Sequence, residues 1–167
     1  MIRTRWIPAA LGAVLALATA TACTKAETGG DEVPQRKITH AMGVTEVKAN
    51  PERVVVLDTG ELDTVAALGI KPVGMVRADV NTEVVGYLKD AVAGAEIVGT
   101  IQDPNLEKIA SLKPDLILGS KLRVADKYDQ LNAIAPTVLT EKVGVTWKEN
   151  FLPVSYTHLT LPTKRIV

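Results

Sequence analysis

RVVVLDTGELDTVAALGIKPVG, residues 53–74, is the stretch that decides the fold of this chain. Val54–Leu57 is a continuous apolar run, which is typical of a strand buried on both faces of a parallel sheet. Asp58–Gly60 then turns the chain into a helix predicted over Glu61–Leu68, and the glycine that follows ends it. Val73–Val76 predicts a second strand, so the stretch forms one strand–helix–strand unit.

The alternation of strands and helices continues on both sides of this unit. Further strands are predicted at Ile97–Gly99, Leu116–Leu118 and Thr137–Leu139, helices at Leu106–Leu112 and Val124–Ile134, and a short hairpin at Ile38–Val47. Short strands alternating with helices favour a mainly parallel α/β sheet, and right-handed crossovers place helices on both of its faces. We therefore predict an α/β fold.

The first 22 residues have the pattern of an export signal. Arg3 and Arg5 precede Ile7–Ala20, an uncharged apolar stretch that fits a signal-peptide core and is too short to span a bilayer. Cys23 is the only cysteine of the chain, and Ala20–Cys23 resembles the lipobox of bacterial lipoproteins. The resemblance implies a lipid on the Cys23 thiol; an ordinary secretory signal beside a chance cysteine is the alternative.

Composition divides the rest of the chain into three parts. Residues 23–33 are polar, contain paired glycines and predict a flexible tether. Residues 34–151 have the size of one modest domain, and 146–151 open an amphipathic helix. From residue 152 the alternation of strands and helices breaks, because two prolines would stop a helix there. The sequence VSYTHLTLPTKRIV also resembles a tail found on unrelated truncated gene predictions. We predict that residues 152–167 are foreign to the protein and give their side chains no functional role.

Charge and residue inventory argue against several classes of function. The chain has 19 basic and 19 acidic residues, so without Arg3 and Arg5 the basic residues number two fewer than the acidic ones. No concentrated basic face indicates a nucleic-acid partner. A single cysteine excludes an intramolecular disulfide and a multi-cysteine metal site. One histidine, His40, lies by the hairpin, where a pocket-edge or surface role is the expected one, and the other, His158, lies in the suspect tail. A zinc or manganese receptor would need several histidine and carboxylate ligands that converge, and a surface hydrolase would need a nucleophile paired with a histidine. We therefore expect no catalysis and no metal site.

A binding site is predicted where the parallel strands end, since loops and helix amino termini meet at that edge. The candidate side chains that follow the strands are Thr59, Glu61, Arg77, Lys121, Arg123 and Trp147. Arginine and lysine suit an anionic, oxygen-rich ligand, because they donate charge-assisted hydrogen bonds. A solvated loop charge is the alternative for each cation, and capping of the first helix is the alternative for the carboxylates Asp58 and Glu61.

Two stretches of the chain also resemble a known family. Residues 53–74 together with NLEKIASLKPDLILGS (Asn105–Ser120) are similar to the signatures of periplasmic-binding domains for ferric siderophores, haem and cobalamin, and YDQLNAIAPTV (Tyr128–Val138) continues the match. The resemblance, which covers about Ile38–Phe151, implies two α/β lobes joined by a long helix, with the ligand held between them. This chain would supply the amino-terminal lobe and the first turn of the linking helix.

The resemblance also implies a function and partners. The protein would be a lipid-anchored receptor outside the membrane that delivers a ferric siderophore to an ABC permease, with cobalamin or haem as the alternative ligands. Glu107 occupies the motif position of a glutamate that docks on the permease, and it also favours the dipole of its helix. Arg123 and Trp147, then Arg77 and Lys121, are the expected ligand contacts, and no resident cofactor is expected.

Overall fold

The computed structural model describes residues 34–79, 83–144 and 147–158. Residues 1–33, which carry the predicted signal, Cys23 and the tether, lie outside these ranges, as do residues 159–167 of the suspect tail. Within the described ranges, no helix has both the length and the apolar character needed to cross a membrane.

The described residues build an antiparallel hairpin and a five-stranded parallel sheet. The strands are β1 (Gln35–His40), β2 (Gly43–Lys48), β3 (Val54–Val56), β4 (Gly74–Arg77), β5 (Glu96–Thr100), β6 (Leu116–Ser120) and β7 (Thr137–Thr140). The helices are α1 (Thr59–Ala67), α2 (Leu106–Ser111), α3 (Lys121–Val124), α4 (Tyr128–Ile134) and α5 (Trp147–His158), with 3₁₀ turns at Gly86–Leu88 and Ala125–Lys127. The order β5-β4-β3-β6-β7 confirms the predicted parallel α/β sheet.

The central strand β3 is buried on both faces, as its apolar run predicts. Val54 and Val56 enter a core cluster on the side of α1 and α5, whereas Val55 and Leu57 enter a second cluster with side chains of α2 and α4. Successive side chains of a strand point to opposite faces, so one short run serves both cores. The prediction of helices on both faces is confirmed.

His40 anchors the hairpin to the sheet. Its Nδ1 accepts hydrogen bonds from the backbone N–H groups of Met42 (3.4 Å) and Leu139 (3.2 Å). The proton therefore lies on Nε2, which is 2.8 Å from Thr45 Oγ1. Burial lowers the pKa of His40, in agreement with a neutral ring, and the ring centroid lies 5.9 Å from that of Tyr128. These contacts give this histidine a structural role.

The single helix predicted over Val124–Ile134 is wrong. The chain instead forms α3, a 3₁₀ turn and α4, and the helical conformation already begins at Lys121. Val124 is completely buried against the sheet, and its φ of −132° leaves the helical region. Burial of Val124 in the core therefore breaks a helix that the apolar spacing alone would continue.

The prediction that the prolines after Phe151 stop the helix is also wrong. α5 runs through Pro153 to His158 and packs against α1 and β1. Val154 is buried in the core, and the hydroxyls of Ser155 and Thr157 donate to carbonyls three residues earlier, at 2.9 and 2.5 Å. Tertiary packing here outweighs the cost of an internal proline. The foreign origin of residues 152–167 stays a prediction.

Candidate functional site

The carboxyl ends of the five parallel strands meet along one border of the sheet, which we call the carboxyl edge. Four of these strands end in a polar residue, and the second residue after β3 is polar as well: Arg77, Thr100, Ser120, Thr140 and Asp58. Ligands of open α/β sheets bind outside the carboxyl ends of the strands. Arg77 ends β4 and Arg123 follows β6, so the two arginines belong to the strands on either side of β3.

Asp58 is the buried anchor of the carboxyl edge. It is 3% exposed, and its Oδ2 accepts a 2.6 Å hydrogen bond from Ser120 Oγ. Arg123 Nε lies 3.5 Å from the same oxygen, as an ion pair without hydrogen-bond geometry. The expectation that Asp58 caps α1 is wrong, because its side chain makes no capping hydrogen bond. Asp58 instead holds the guanidinium of Arg123, whose side chain is 35% exposed.

Glu61 lies inside the protein, although it belongs to the first turn of α1. The residue is 2% exposed, and its Oε1 accepts a 2.6 Å hydrogen bond from Thr140 Oγ1. The second carboxyl oxygen, Oε2, is buried without a hydrogen-bond partner. Burial raises the pKa of Glu61, and the nearby charge of Asp58 raises it further, against the opposing effect of the Thr140 hydrogen bond.

The raised pKa of Glu61 predicts a pH-dependent stability. Above the ordinary value of 4.5, the unfolded chain releases the proton first, so the free energy of unfolding falls as the pH rises towards the folded pKa. One proton gives a slope of at most about 1.4 kcal/mol per pH unit. Urea unfolding between pH 4.5 and 7.5 measures it. Glu61→Gln should flatten the dependence of the free energy of unfolding on pH, whereas Glu149→Gln, at an exposed position of α5, should leave it unchanged. An unchanged slope in Glu61→Gln would contradict this assignment.

A cavity of about 300 Å³, which we call the Arg77 chamber, opens at the end of β4. It brings together two predicted site residues, Thr59 and Arg77, above buried apolar side chains that include Met75 and Leu88. Within the described part of the chain, the Arg77 side chain has no hydrogen-bond or ion-pair partner. The lining also includes two carboxylates, of which Asp63 accepts a hydrogen bond from Tyr87 and Glu83 pairs with Lys89. Arg77 is therefore the charged group of the chamber that is left for an anionic group of a ligand, above an apolar floor that suits an apolar body.

A second cavity, of about 230 Å³, lies between α1 and the start of α5, and we call it the α1–α5 chamber. Two other predicted site residues, Glu61 and Trp147, line it. The Trp147 side chain is 65% exposed, and Lys148 Nζ lies 5.5 Å from its ring centroid. The six predicted residues thus divide between two chambers and the Asp58 anchor, with one exception.

The exception is Lys121, which does not line either chamber. Its Nζ pairs with Glu141 Oε1 at 3.1 Å, and both side chains are substantially exposed. Exposed ion pairs of this kind stabilise by about 0–1 kcal/mol. Glu107 is also separate from both chambers: it is exposed in the first turn of α2, where Asn105 caps the helix by accepting from Lys108 N–H at 2.9 Å.

The sequence did not predict the wall formed by residues 83–88. This segment closes the Arg77 chamber and contains the 3₁₀ turn Gly86–Leu88. Tyr87 Oη donates a 2.8 Å hydrogen bond to Asp63 of α1, and Leu88 enters the core. The adjacent tyrosine and leucine are only a weak sequence signal for this wall, because one turn of 3₁₀ helix is too short to show a repeating apolar pattern. Among the described residues, no group of three or more His, Cys, Asp or Glu is arranged to hold a metal ion.

This lobe has a parallel α/β sheet with cavities and anchored polar groups along its carboxyl edge. These features place it in the class of lobes that bind small molecules. Residues 54–154 match the family described as periplasmic binding protein, and the chain belongs to this family. The family resemblance seen in the sequence is thereby confirmed.

Known relatives sharpen this comparison. The chain is 44% identical over 142 residues to the probable siderophore-binding lipoprotein YfiY of Bacillus subtilis, a match that covers 82% of this chain and 44% of that protein. It is 40% identical to the Fe(3+)-citrate-binding protein YfmC of the same organism, over 72% of this chain and 38% of the relative. The solved structure of Staphylococcus aureus SirA complexed with staphyloferrin B is similar with a TM-score of 0.68 and 43% identity, over 73% of this chain and 41% of that one. The chain spans less than half the length of these relatives.

Proposed function

We propose that this chain is the amino-terminal lobe of an exported two-lobe receptor that captures a ferric siderophore and delivers it to an ABC permease without catalysing a reaction on it. The observation that carries the proposal is the pair of arginines on either side of β3, one of them backed by buried Asp58. Guanidinium groups bind carboxylate and other oxygen anions through charge-assisted hydrogen bonds. Relatives named for ferric siderophores and ferric citrate support this class of ligand.

Fluorescence of Trp147 provides the test of the ligand class. The chain has two tryptophans, and the other, Trp6, lies in the predicted signal. Ferric citrate, ferric hydroxamates, ferric catecholates, haem and cobalamin would each be titrated into the protein. We expect saturable quenching by at least one ferric siderophore or ferric citrate. A response to haem or cobalamin alone would overturn the siderophore assignment.

Lipid attachment at Cys23 forms part of the same proposal. One acyl chain anchors a protein only marginally, whereas the several chains of a bacterial lipoprotein hold it firmly. Metabolic labelling with a clickable palmitate analogue should mark the wild-type chain and leave Cys23→Ser unlabelled. Equal labelling of the two proteins would show that Cys23 is not the lipid-bearing residue.

Glu107 is proposed as the permease-docking residue. Its side chain is exposed and lies outside both chambers, so we expect Glu107→Ala to reduce siderophore-dependent iron uptake while ligand affinity changes less than about twofold. Uptake of radioactive iron and fluorescence quenching would be measured in parallel, with Glu52→Ala, an exposed glutamate of the loop before β3, as the control. A loss of affinity that matches the loss of uptake would contradict the docking role.

A further inference from the structure

The α1–α5 chamber differs in charge from the arginine-bearing parts of the carboxyl edge. Its lining residues are Gly60, Glu61, Asp63, Thr64, Val143, Gly144, Trp147 and Asn150. Two of them are carboxylates and one is an exposed indole, whereas no lysine or arginine occurs among the described residues of the lining. Such a surface repels anions and attracts cations.

Glu61 lacks one interaction that a buried carboxyl group requires. Oε1 is satisfied by Thr140, but the buried Oε2 has no partner among the described residues. Buried polar atoms are almost always hydrogen-bonded, and each exception calls for an explanation. Glu61 lines the α1–α5 chamber, so a donor atom that enters the chamber is the simplest source of the missing partner.

The charges around Glu61 indicate what that atom is. Asp58 has already taken the nearby cation, Arg123, and the hydroxyl of Ser120. Asp58 thus has a cationic partner and Glu61 has none among the described residues, and the charge of Asp58 disfavours ionised Glu61 until a further cation arrives. Asp63 lies on the same wall of the chamber and receives a hydrogen bond from Tyr87 Oη.

We propose that the α1–α5 chamber is a subsite for a protonated amine, an alkylammonium group of the ligand that pairs with the Glu61 carboxylate against the ring of Trp147. An ammonium group supplies up to three donors, which satisfies Oε2, and an aromatic face attracts it further. This inference rests on the proposed function, since it assigns one chemical group of the same ligand. The carboxyl edge then offers arginines to the anionic part of the ligand and Glu61 to a cationic part.

Binding is coupled to the release of a proton. Burial and the charge of Asp58 raise the pKa of Glu61, so the free protein keeps the Glu61 proton to a higher pH than an ordinary carboxyl group would. When the ammonium ion enters, the carboxyl group ionises, and its proton leaves to the buffer while the ammonium keeps all of its own. The other charged groups near the chamber are Asp63, Lys148 and Glu149, the last two on the exposed side of α5. Lys148 already lies over Trp147 and competes for the ring.

Isothermal titration calorimetry with n-butylammonium chloride tests the subsite on the purified full chain. Titrations at pH 6 in phosphate and in MOPS, two buffers with different ionisation enthalpies, give the number of protons released. We expect a net release of protons when butylammonium binds the wild type, and none with Glu61→Gln, which should bind it at least about tenfold more weakly. Trp147→Ala should weaken binding about threefold, and Lys148→Gln should strengthen it.

Controls separate this inference from the proposed function. Glu61→Gln keeps an oxygen that accepts from Thr140, and Trp147→Ala changes an exposed side chain, so both variants are expected to fold. Glu149→Gln should bind butylammonium like the wild type. Equal binding of n-butanol or butyrate, or unchanged binding by Glu61→Gln, would overturn the amine subsite. Ferric citrate titrated into the same preparations tests siderophore binding independently.

Discussion

Arg123→Ala is expected to weaken the binding of ferric citrate or a similar ferric siderophore by about 10- to 100-fold. Hydrogen bonds to charged groups contribute about 1.5–3 kcal/mol, and each 1.4 kcal/mol corresponds to a factor of ten in affinity. The effect is large because Asp58, which Ser120 fixes by a hydrogen bond, pairs with Arg123 at the carboxyl edge before the ligand arrives. Fluorescence quenching of Trp147 measures the change.

The matched control for Arg123 is Lys71→Ala. Lys71 is an exposed cation at the opposite end of the sheet, just before β4, and its removal changes the net charge equally. Arg123→Lys keeps the charge without the planar guanidinium, and an intermediate loss is expected. Equal affinities for Arg123→Ala and Lys71→Ala would show that Arg123 has no specific contact with the ligand.

Gly99→Ala is expected to lower the free energy of unfolding by roughly 2–6 kcal/mol, because a strained backbone and a steric overlap cost about 1–3 kcal/mol each. The φ of Gly99 is +124°, and a Cβ at this position would lie 2.4 Å from the carbonyl oxygen of Asp103. That backbone cannot move cheaply, because Thr100 N–H donates to Asp103 O and Asn105 N–H donates to Val98 O. The substitution should therefore also disturb the loop that leads into α2.

Urea unfolding measures this loss, and Gly60→Ala is the matched control. Gly60 lies in the first turn of α1 without a positive φ, and a Cβ at this position would have no neighbouring atom within 4 Å among the described residues. Alanine there should be neutral or stabilising by about 0.5–1 kcal/mol. A Gly99→Ala protein within about 0.5 kcal/mol of the wild type, a roughly neutral substitution, would contradict the account of this turn.

Local patterns predict the scaffold of the lobe well. The apolar run Val54–Leu57 correctly indicates a strand buried on both faces, and Gly69, with a φ of +74°, ends α1 as expected. The helix predicted over Leu106–Leu112 begins where α2 begins, and the spacing of Leu106, Ile109 and Leu112 gives its buried face. These features depend on residues close in sequence, which is why a single sequence suffices.

The roles of the acidic residues could not be predicted in the same way. Asp58 and Glu61 have the pattern of a helix start, yet their partners, Ser120 and Thr140, come from β6 and β7. A capping role competes with long-range hydrogen bonds, and only the arrangement of the strands decides between them. The order β3-β6-β7 places these hydroxyl groups beside the carboxylates, a contact that spacing along the chain does not reveal.

The continuation of α5 past Pro153 has a similar cause. The proline predicts an end to the helix, but Val154 is 1% exposed and packs into the core beside α1. Burial of one aliphatic side chain stabilises by about 1.5–3 kcal/mol, which is comparable to the cost of about 3 kcal/mol for an internal proline. Helix ends are therefore set here by the sheet and by α1 as much as by the local sequence.

The central claim, that the carboxyl edge of this lobe binds a ferric chelate, is tested most directly by mapping the binding site of its diamagnetic gallium(III) analogue. Gallium(III) citrate would be titrated into the ¹⁵N-labelled protein while amide chemical shifts are recorded. The account predicts saturable shifts concentrated at residues 58–61, 77–78 and 120–123, with the amino edge of the sheet unaffected. Shifts confined to the amino edge or to α2, or no saturable shifts at all, would contradict it.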